Sequence, residues 1–63
     1  MVYLTARNDK QLGICLRMLY SESVEFKVEV IMNDRDKIEF RVYPMLDEIR
    51  IPDIMRRYEI MIS

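Results

Sequence analysis

The chain has 63 residues, enough for a single domain over residues 1–63, and a domain of that length buries only about 60% of the surface that its unfolded form exposes. Half of the residues are hydrophobic (51%) and a third are charged (33%), so the composition excludes an intrinsically disordered chain. The net charge of −1 lacks the basic excess that is typical of proteins binding phosphate backbones.

Few of the usual ways to stabilise so small a domain are open to this chain. Cys15 is the only cysteine, so no disulfide can form within the chain. With no histidine either, we expect no metal site and no cofactor. Good packing or association with a partner subunit remains. The unpaired thiol and the absence of an apolar run of ~20 residues predict a cytoplasmic protein that does not enter the membrane, and the first ten residues lack an apolar core of signal-peptide length.

The first two predicted elements are a strand and a helix. Residues 2–6, "VYLTA", are β-branched and aromatic and predict the strand. Asn8 or Asp9 then offers a helix N-cap. Helical spacing follows from residue 10 and fades at residues 21–23. Its apolar stripe, at i, i+3, i+4 and i+7, consists of Leu12, Cys15, Leu16 and Leu19.

Residues 26–43, "FKVEVIMNDRDKIEFRVY", alternate apolar and polar side chains on both sides of a turn at residues 33–36. This pattern predicts an antiparallel hairpin with Glu29 opposite Arg41 on its polar face. We expect the apolar face to form one wall of the core, because a register slip of one residue would expose every apolar side chain. The predicted apolar pairs are Met32 with Ile38, Val30 with Phe40, and Val28 with Val42.

The last third of the chain predicts a short extended piece and a second helix. Residues 47–52, "DEIRIP", alternate isoleucine with charged residues, and the residue before Pro52 favours extended geometry. Pro52 and Asp53 suit the first turn of a helix, and helical apolar spacing continues to the C-terminus. The alternation within residues 58–63, "YEIMIS", leaves a final strand as the alternative.

The predicted order is β-α-β-β-(β)-α, which indicates an α+β two-layer sandwich. In this fold a small antiparallel or mixed sheet carries its helices on one face. The order resembles a trimmed ferredoxin-like or ACT-like layout. Such layouts host many unrelated functions, so the resemblance implies nothing specific about activity.

The sequence argues against an enzyme. Without histidine, no Ser–His or Cys–His pair can form. Cys15 lies on the apolar stripe of the first helix, which is typical of a buried thiol rather than a nucleophile. The single glycine cannot supply a phosphate-binding loop, and the acidic turn at residues 33–36 lacks the glycine and distal glutamate of a calcium loop.

Apolar residues outside the core pattern favour self-association. Ile14 and Met18 lie four residues apart and are predicted to face away from the leucine stripe, and Ile31 points to the polar side of its strand. Unpaired strand edges also invite pairing with another chain. The leading hypothesis is a small non-enzymatic regulatory or adaptor protein, bacterial or phage, that forms a homodimer and acts by protein–protein interaction. Its expected contact residues are Ile14, Met18, Ile31, Tyr43 and Met45.

Two alternatives remain open. One is a single-stranded nucleic-acid binder that stacks bases on the outer sheet face. Glu29 and Glu39 lie among its basic residues and would repel phosphate, so we do not expect this partner. The other alternative is a small-molecule sensor with its ligand at the dimer seam. The candidate nucleic-acid-binding residues are Tyr3, Arg41 and Tyr43, joined by Arg56 and Arg57 of the last helix.

Overall fold

A computed structural model describes residues 2–63 as a small α+β fold with an open sheet of three antiparallel strands and two helices. The strand order is β1-β3-β2, so β3 is central and pairs antiparallel with both neighbours. β1 and β2 therefore run parallel to each other, with α1 as their connection and β3 inserted between them. The elements are β1 (Leu4–Ala6), α1 (Asp9–Ser21), β2 (Phe26–Met32), β3 (Ile38–Pro44) and α2 (Ile51–Ile62).

The ends of α1 are set by local hydrogen bonds. Asn8 is the N-cap, and its side-chain oxygen accepts a hydrogen bond of 2.8 Å from the backbone N–H of Gln11. At the other end Ser23 has a positive φ of 57°. The N–H of Val24 donates to the carbonyl of Leu19 at 2.9 Å, and that of Ser23 donates to Tyr20 at 3.0 Å. This is the Schellman motif, which directs Val24 back into the core.

The predicted hairpin register is confirmed. Glu29 lies opposite Arg41, and the predicted apolar pairs lie opposite each other along β2 and β3. The connecting turn is held by Asn33, whose side-chain oxygen accepts from the backbone N–H groups of Arg35 (2.9 Å) and Lys37 (3.2 Å). Alternation and turn chemistry are local properties, which is why the sequence predicts this element well.

The core lies between the helices and the part of the sheet where all three strands overlap. The apolar stripe of α1 contributes as predicted: Cys15 and Leu19 are buried, and Leu12 and Leu16 pack half-buried against them. From the sheet, β1 and β3 contribute buried side chains, and α2 closes the other side. The buried residues of this cluster are Leu4, Cys15, Met18, Leu19, Val24, Val42, Ile54 and Tyr58.

The expectation that Met18 and Ile14 face away from the core is wrong. Met18 is 5% exposed and belongs to the core cluster, and Ile14 packs half-buried against that cluster. The reason is that α1 packs on both the sheet and α2, so the buried arc of the helix is wider than one stripe.

The C-terminal segment is helical, so the alternative of a final strand at residues 58–63 is wrong. The predicted extended piece is also wrong, because residues 48–50 form a turn in which the N–H of Arg50 donates to the carbonyl of Asp47 at 2.9 Å. The turn leads Ile51 into the core as the first residue of α2. Burial of that side chain outweighs the preference of a residue before proline for extended geometry.

Candidate interaction surface on the hairpin

The apolar face of the hairpin is covered at one end and uncovered at the other. Val42 is fully buried, yet its cross-strand partner Val28 is 41% exposed. Exposure rises toward the turn, to 61% for Val30, 65% for Met32 and 44% for Ile38. We call Val28, Val30, Met32 and Ile38 the hairpin patch. The expectation that this whole face is a core wall is therefore wrong for the half nearer the turn.

The patch is uncovered because neither β1 nor the two helices extend over it. The seven-residue strands of the hairpin extend about 23 Å, whereas the three residues of β1 extend about 10 Å. α1 packs on β1, β3 and α2, and neither helix packs extensively on β2. Directly opposed residues point to the same face of a sheet, so Val28 shares the face of buried Val42. The patch is thus a continuation of the core surface into solvent.

The backbone of β2 also has an open side. At the two ends of the hairpin, the N–H of Asn33 donates to Lys37 at 3.0 Å and the N–H of Met45 donates to Glu25 at 2.8 Å. Backbone groups alternate in direction along a strand, so the odd-numbered residues of β2 face β3. The even-numbered residues direct their N–H and C=O groups to the unpaired side of the sheet. They are Phe26, Val28, Val30 and Met32.

The opposite edge of the sheet, at β1, is short and partly closed. By the same alternation Leu4 and Ala6 face β3, which leaves Thr5 as the residue of β1 that faces outward. The hydroxyl of Tyr58 in α2 donates a hydrogen bond of 2.9 Å to the Thr5 carbonyl oxygen. The two edges of the described sheet therefore differ: α2 satisfies the outward carbonyl of β1, and β2 offers a longer unpaired row.

On the outer face of the sheet, aromatic and charged side chains pack against one another. The rings of Tyr3 and Tyr43 lie 5.4 Å apart at 59°, and the guanidinium of Arg41 lies 4.8 Å from the centre of the Tyr3 ring. Arg41 Nε also donates a hydrogen bond of 2.9 Å to Glu39 Oε2, and this hydrogen bond is the main cause that raises the pKa of Arg41. The predicted nucleic-acid residues of the sheet are thus brought together, with their ring and cation surfaces already engaged in the same cluster.

The two arginines of α2 lie apart from that cluster. Arg57 forms ion pairs with Glu22 and, at 3.5 Å, with Asp53. Arg56 is exposed on a neighbouring helix position. Arg56 and Arg57 therefore belong to a solvated charged surface of α2 and do not extend the aromatic face of the sheet.

The five predicted contact residues do not form one surface. Met45 is 58% exposed just after β3, and Ile31 and Tyr43 are half-buried on the outer sheet face. Met18 is buried, and Ile14 packs against the core. Sequence reasoning missed the hairpin patch because an alternating pattern is the same whether its apolar face is covered or not. The relative lengths of the first strand and the hairpin strands were the available signal.

Two further features of the described residues are the Cys15 thiol and a cleft beside the hairpin turn. Burial raises the pKa of the Cys15 thiol to about 11, so the thiol stays protonated near neutral pH. An open cleft of about 620 Å³ lies between the start of α1 and the hairpin turn, but its cations Arg7 and Lys37 mix with carboxylates such as Asp36. Within residues 2–63 no three side chains of metal-ligating type cluster together.

Comparisons with known proteins do not place the chain in a family. No family model, curated protein or solved structure matches it. Among the described residues, neither helix has the length and apolar character needed to cross a membrane. Function is therefore inferred from the hairpin patch, the β2 edge and the outer face themselves.

Proposed function

We propose that this protein is a small non-enzymatic interaction module that forms a homodimer and acts by binding another protein, as regulatory and adaptor proteins do. The observation that carries this proposal is the hairpin patch, in which four large apolar side chains are exposed on one face. Contiguous apolar surface of this kind is typical of protein-binding sites. The ferredoxin-like or ACT-like layout stays a prediction, supported by the split arrangement in which β3 separates β1 from β2.

The energetics suit association between two copies. Full burial of one side chain such as Val or Met is worth about 1.5–3 kcal/mol. Association costs about 4–15 kcal/mol in lost freedom of motion, so a few partly buried side chains from one copy are not enough. Two copies contribute the hairpin patch twice, and paired backbone groups at the β2 edge add to that contribution.

The test replaces Val30 by glutamate and measures oligomeric state by light scattering and sedimentation. Val30 is mostly exposed in the single chain, so Val30→Glu should keep its circular dichroism spectrum while shifting the population from dimer to monomer. Tyr20→Glu is the matched control, because Tyr20 is 83% exposed on α1 and lies outside the patch. A wild-type chain that is monomeric at high micromolar concentration would refute the homodimer.

Binding to another protein is tested by comparing affinity captures from the native host. We expect a protein that is retained by the wild type and by Tyr20→Glu but lost from Val30→Glu. Capture of the same proteins by all three chains would show that the patch has no part in partner binding.

Binding of single-stranded nucleic acid is the second candidate, favoured by the contact of Arg41 with Tyr3 on the outer face. It predicts binding to a labelled mixed-sequence RNA at low salt, measured as a change in fluorescence anisotropy, and the affinity should fall steeply as the salt concentration rises. Tyr43→Ala should reduce that binding. Absence of any change with RNA at low salt rejects this candidate.

A further inference from the structure

We propose that the second copy joins edge to edge along β2, with Val28 opposite the partner subunit's Val28, so that two three-stranded sheets become one antiparallel sheet of six strands. This inference rests on the homodimer proposed above and specifies its edge and its register.

The choice of edge follows from the backbone. β2 is seven residues long, and its outward N–H and C=O groups belong to residues that the helices leave exposed or half-buried. β1 has three residues, and Tyr58 already occupies the outward carbonyl of Thr5. A second strand therefore finds a longer row of unpaired groups at β2 than at β1.

The choice of register follows from charge. Directly opposed residues share a face, so a two-fold pairing of β2 with itself is centred on a single residue. Centring on Val28 sets Lys27 opposite the partner subunit's Glu29, and the two-fold axis repeats that pair. Centring on Glu29 sets two carboxylates against each other. Centring on Val30 sets Glu29 opposite the partner subunit's Ile31 and leaves no pair of opposite charges within β2. Opposite charges stabilise a cross-strand pair and like charges destabilise it, so the Val28 register is favoured.

The same register is consistent on the apolar face. Val28 meets its own copy, and Phe26 meets the partner subunit's Val30, so only apolar side chains are opposed there. The two hairpin patches then lie side by side on the helix-bearing side of the joined sheet. Contact at the seam covers Phe26, Val28 and Val30 in part, and the rest of the joined patch is the apolar surface that is offered to another protein.

The first experiment exchanges charges and measures the dimer dissociation constant by sedimentation. Lys27→Glu alone and Glu29→Lys alone each create two like-charge pairs, and each should weaken the dimer about tenfold or more. An equimolar mixture of the two variants should restore dimers, because both cross-strand pairs are again of opposite charge. Lys37→Glu and Asp34→Lys carry the same changes in net charge at the hairpin turn, and they should leave the dimer nearly unchanged.

The second experiment places a cysteine on the proposed axis. In the Val28 register the two Cα atoms of residue 28 lie about 5.5 Å apart, within the range that a disulfide spans. The two copies of residue 30 are separated by about 13 Å along the strands. Val28→Cys should therefore give a disulfide-linked dimer on a non-reducing gel after mild oxidation, and Val30→Cys should not. The native Cys15 is buried and contributes no background link.

The outcomes separate this inference from the proposed function. A wild-type dimer without rescue in the charge mixture, or with cross-linking at residue 30 instead of residue 28, overturns the register and leaves the homodimer standing. A wild-type monomer overturns both. Rescue together with selective cross-linking at residue 28 supports both.

Discussion

The hydroxyl of Tyr58 donates a hydrogen bond of 2.9 Å to the backbone carbonyl oxygen of Thr5, which joins the C-terminal helix to the edge strand β1. The ring of Tyr58 is buried among core residues, so burial and the hydrogen bond act on the same side chain. This contact satisfies an outward carbonyl of β1 and makes the two sheet edges unequal.

Tyr58→Phe should lower the free energy of unfolding by about 1 kcal/mol, because the ring remains packed while the Thr5 carbonyl loses its partner. Urea denaturation followed by circular dichroism measures the loss. Tyr20→Phe removes the same hydroxyl at a highly exposed position and should change stability by much less. Equal effects from the two substitutions would mean that the contact with Thr5 contributes no stability.

Met18 and Met32 are chemically identical and lie in opposite environments, at 5% and 65% exposed. Met18→Ala should cost about 2–5 kcal/mol by leaving a cavity in the core, enough to unfold much of so small a domain. Met32→Ala should cost well under 1 kcal/mol in the monomer. Thermal melts at low concentration compare the two, and Met18→Leu should largely keep stability because its volume is similar. A larger loss from Met32→Ala than from Met18→Ala would contradict the assigned environments.

Gly13 lies within α1 without a steric need for glycine. A Cβ built at this position meets nothing within 4 Å, so the close backbone approach that a helix glycine can serve is absent here. Gly13→Ala should raise the free energy of unfolding by about 0.5–1 kcal/mol through higher helix propensity and lower entropy of the unfolded chain. A higher urea midpoint with an unchanged slope is the expected measurement, and a destabilised variant would indicate an unrecognised contact at this helix face.

Ser23, just after α1, carries a side chain at a position whose backbone conformation favours glycine. Its φ of 57° is in the left-handed region, which a side chain with Cβ adopts at a cost of about 1–2 kcal/mol. Ser23→Gly should therefore stabilise the fold by up to about 1 kcal/mol, reduced by the greater entropy of glycine in the unfolded chain. Ser21→Gly is the control, because it places glycine at the last residue of α1 and removes the hydrogen bond of 2.8 Å from Ser21 Oγ to the Met18 carbonyl, so it should destabilise. Stabilisation by both or by neither would exclude the φ argument.

Alkaline pH should weaken the fold through Cys15. Burial raises the pKa of its thiol from 9.0 to about 11, and burial followed by the charge of Cys15 also raises the pKa of Tyr58. The unfolded chain releases these protons at lower pH than the folded chain does. The free energy of unfolding should therefore fall as pH rises from about 9 to 11.

Urea titrations across that pH range measure this decline, and Cys15→Ala should make its slope shallower while lowering stability near neutral pH. The slopes are compared rather than the absolute stabilities. A decline equally steep in both chains would assign the effect to other groups.

The sequence predicted most local features of this fold correctly, and the extended piece at residues 47–52 was the exception. The helix cap, predicted at Asn8 or Asp9 and found at Asn8, and the antiparallel hairpin with its register follow from the residues that form them. Capping, turn chemistry and strand alternation act over a few neighbouring positions. The α+β class followed from the order of those elements. The periodicity of residues 51–62 likewise favoured a helix over the alternative of a strand.

What covers each apolar face was decided by the tertiary structure. The alternation of Val28, Val30 and Met32 identified an apolar face, and the short β1 with two small helices determined how little of it is buried. Met18 is buried because α1 packs on both the sheet and α2, which the spacing within α1 does not encode. Periodicity reports which side of an element is apolar, whereas burial depends on where residues distant in sequence come to lie.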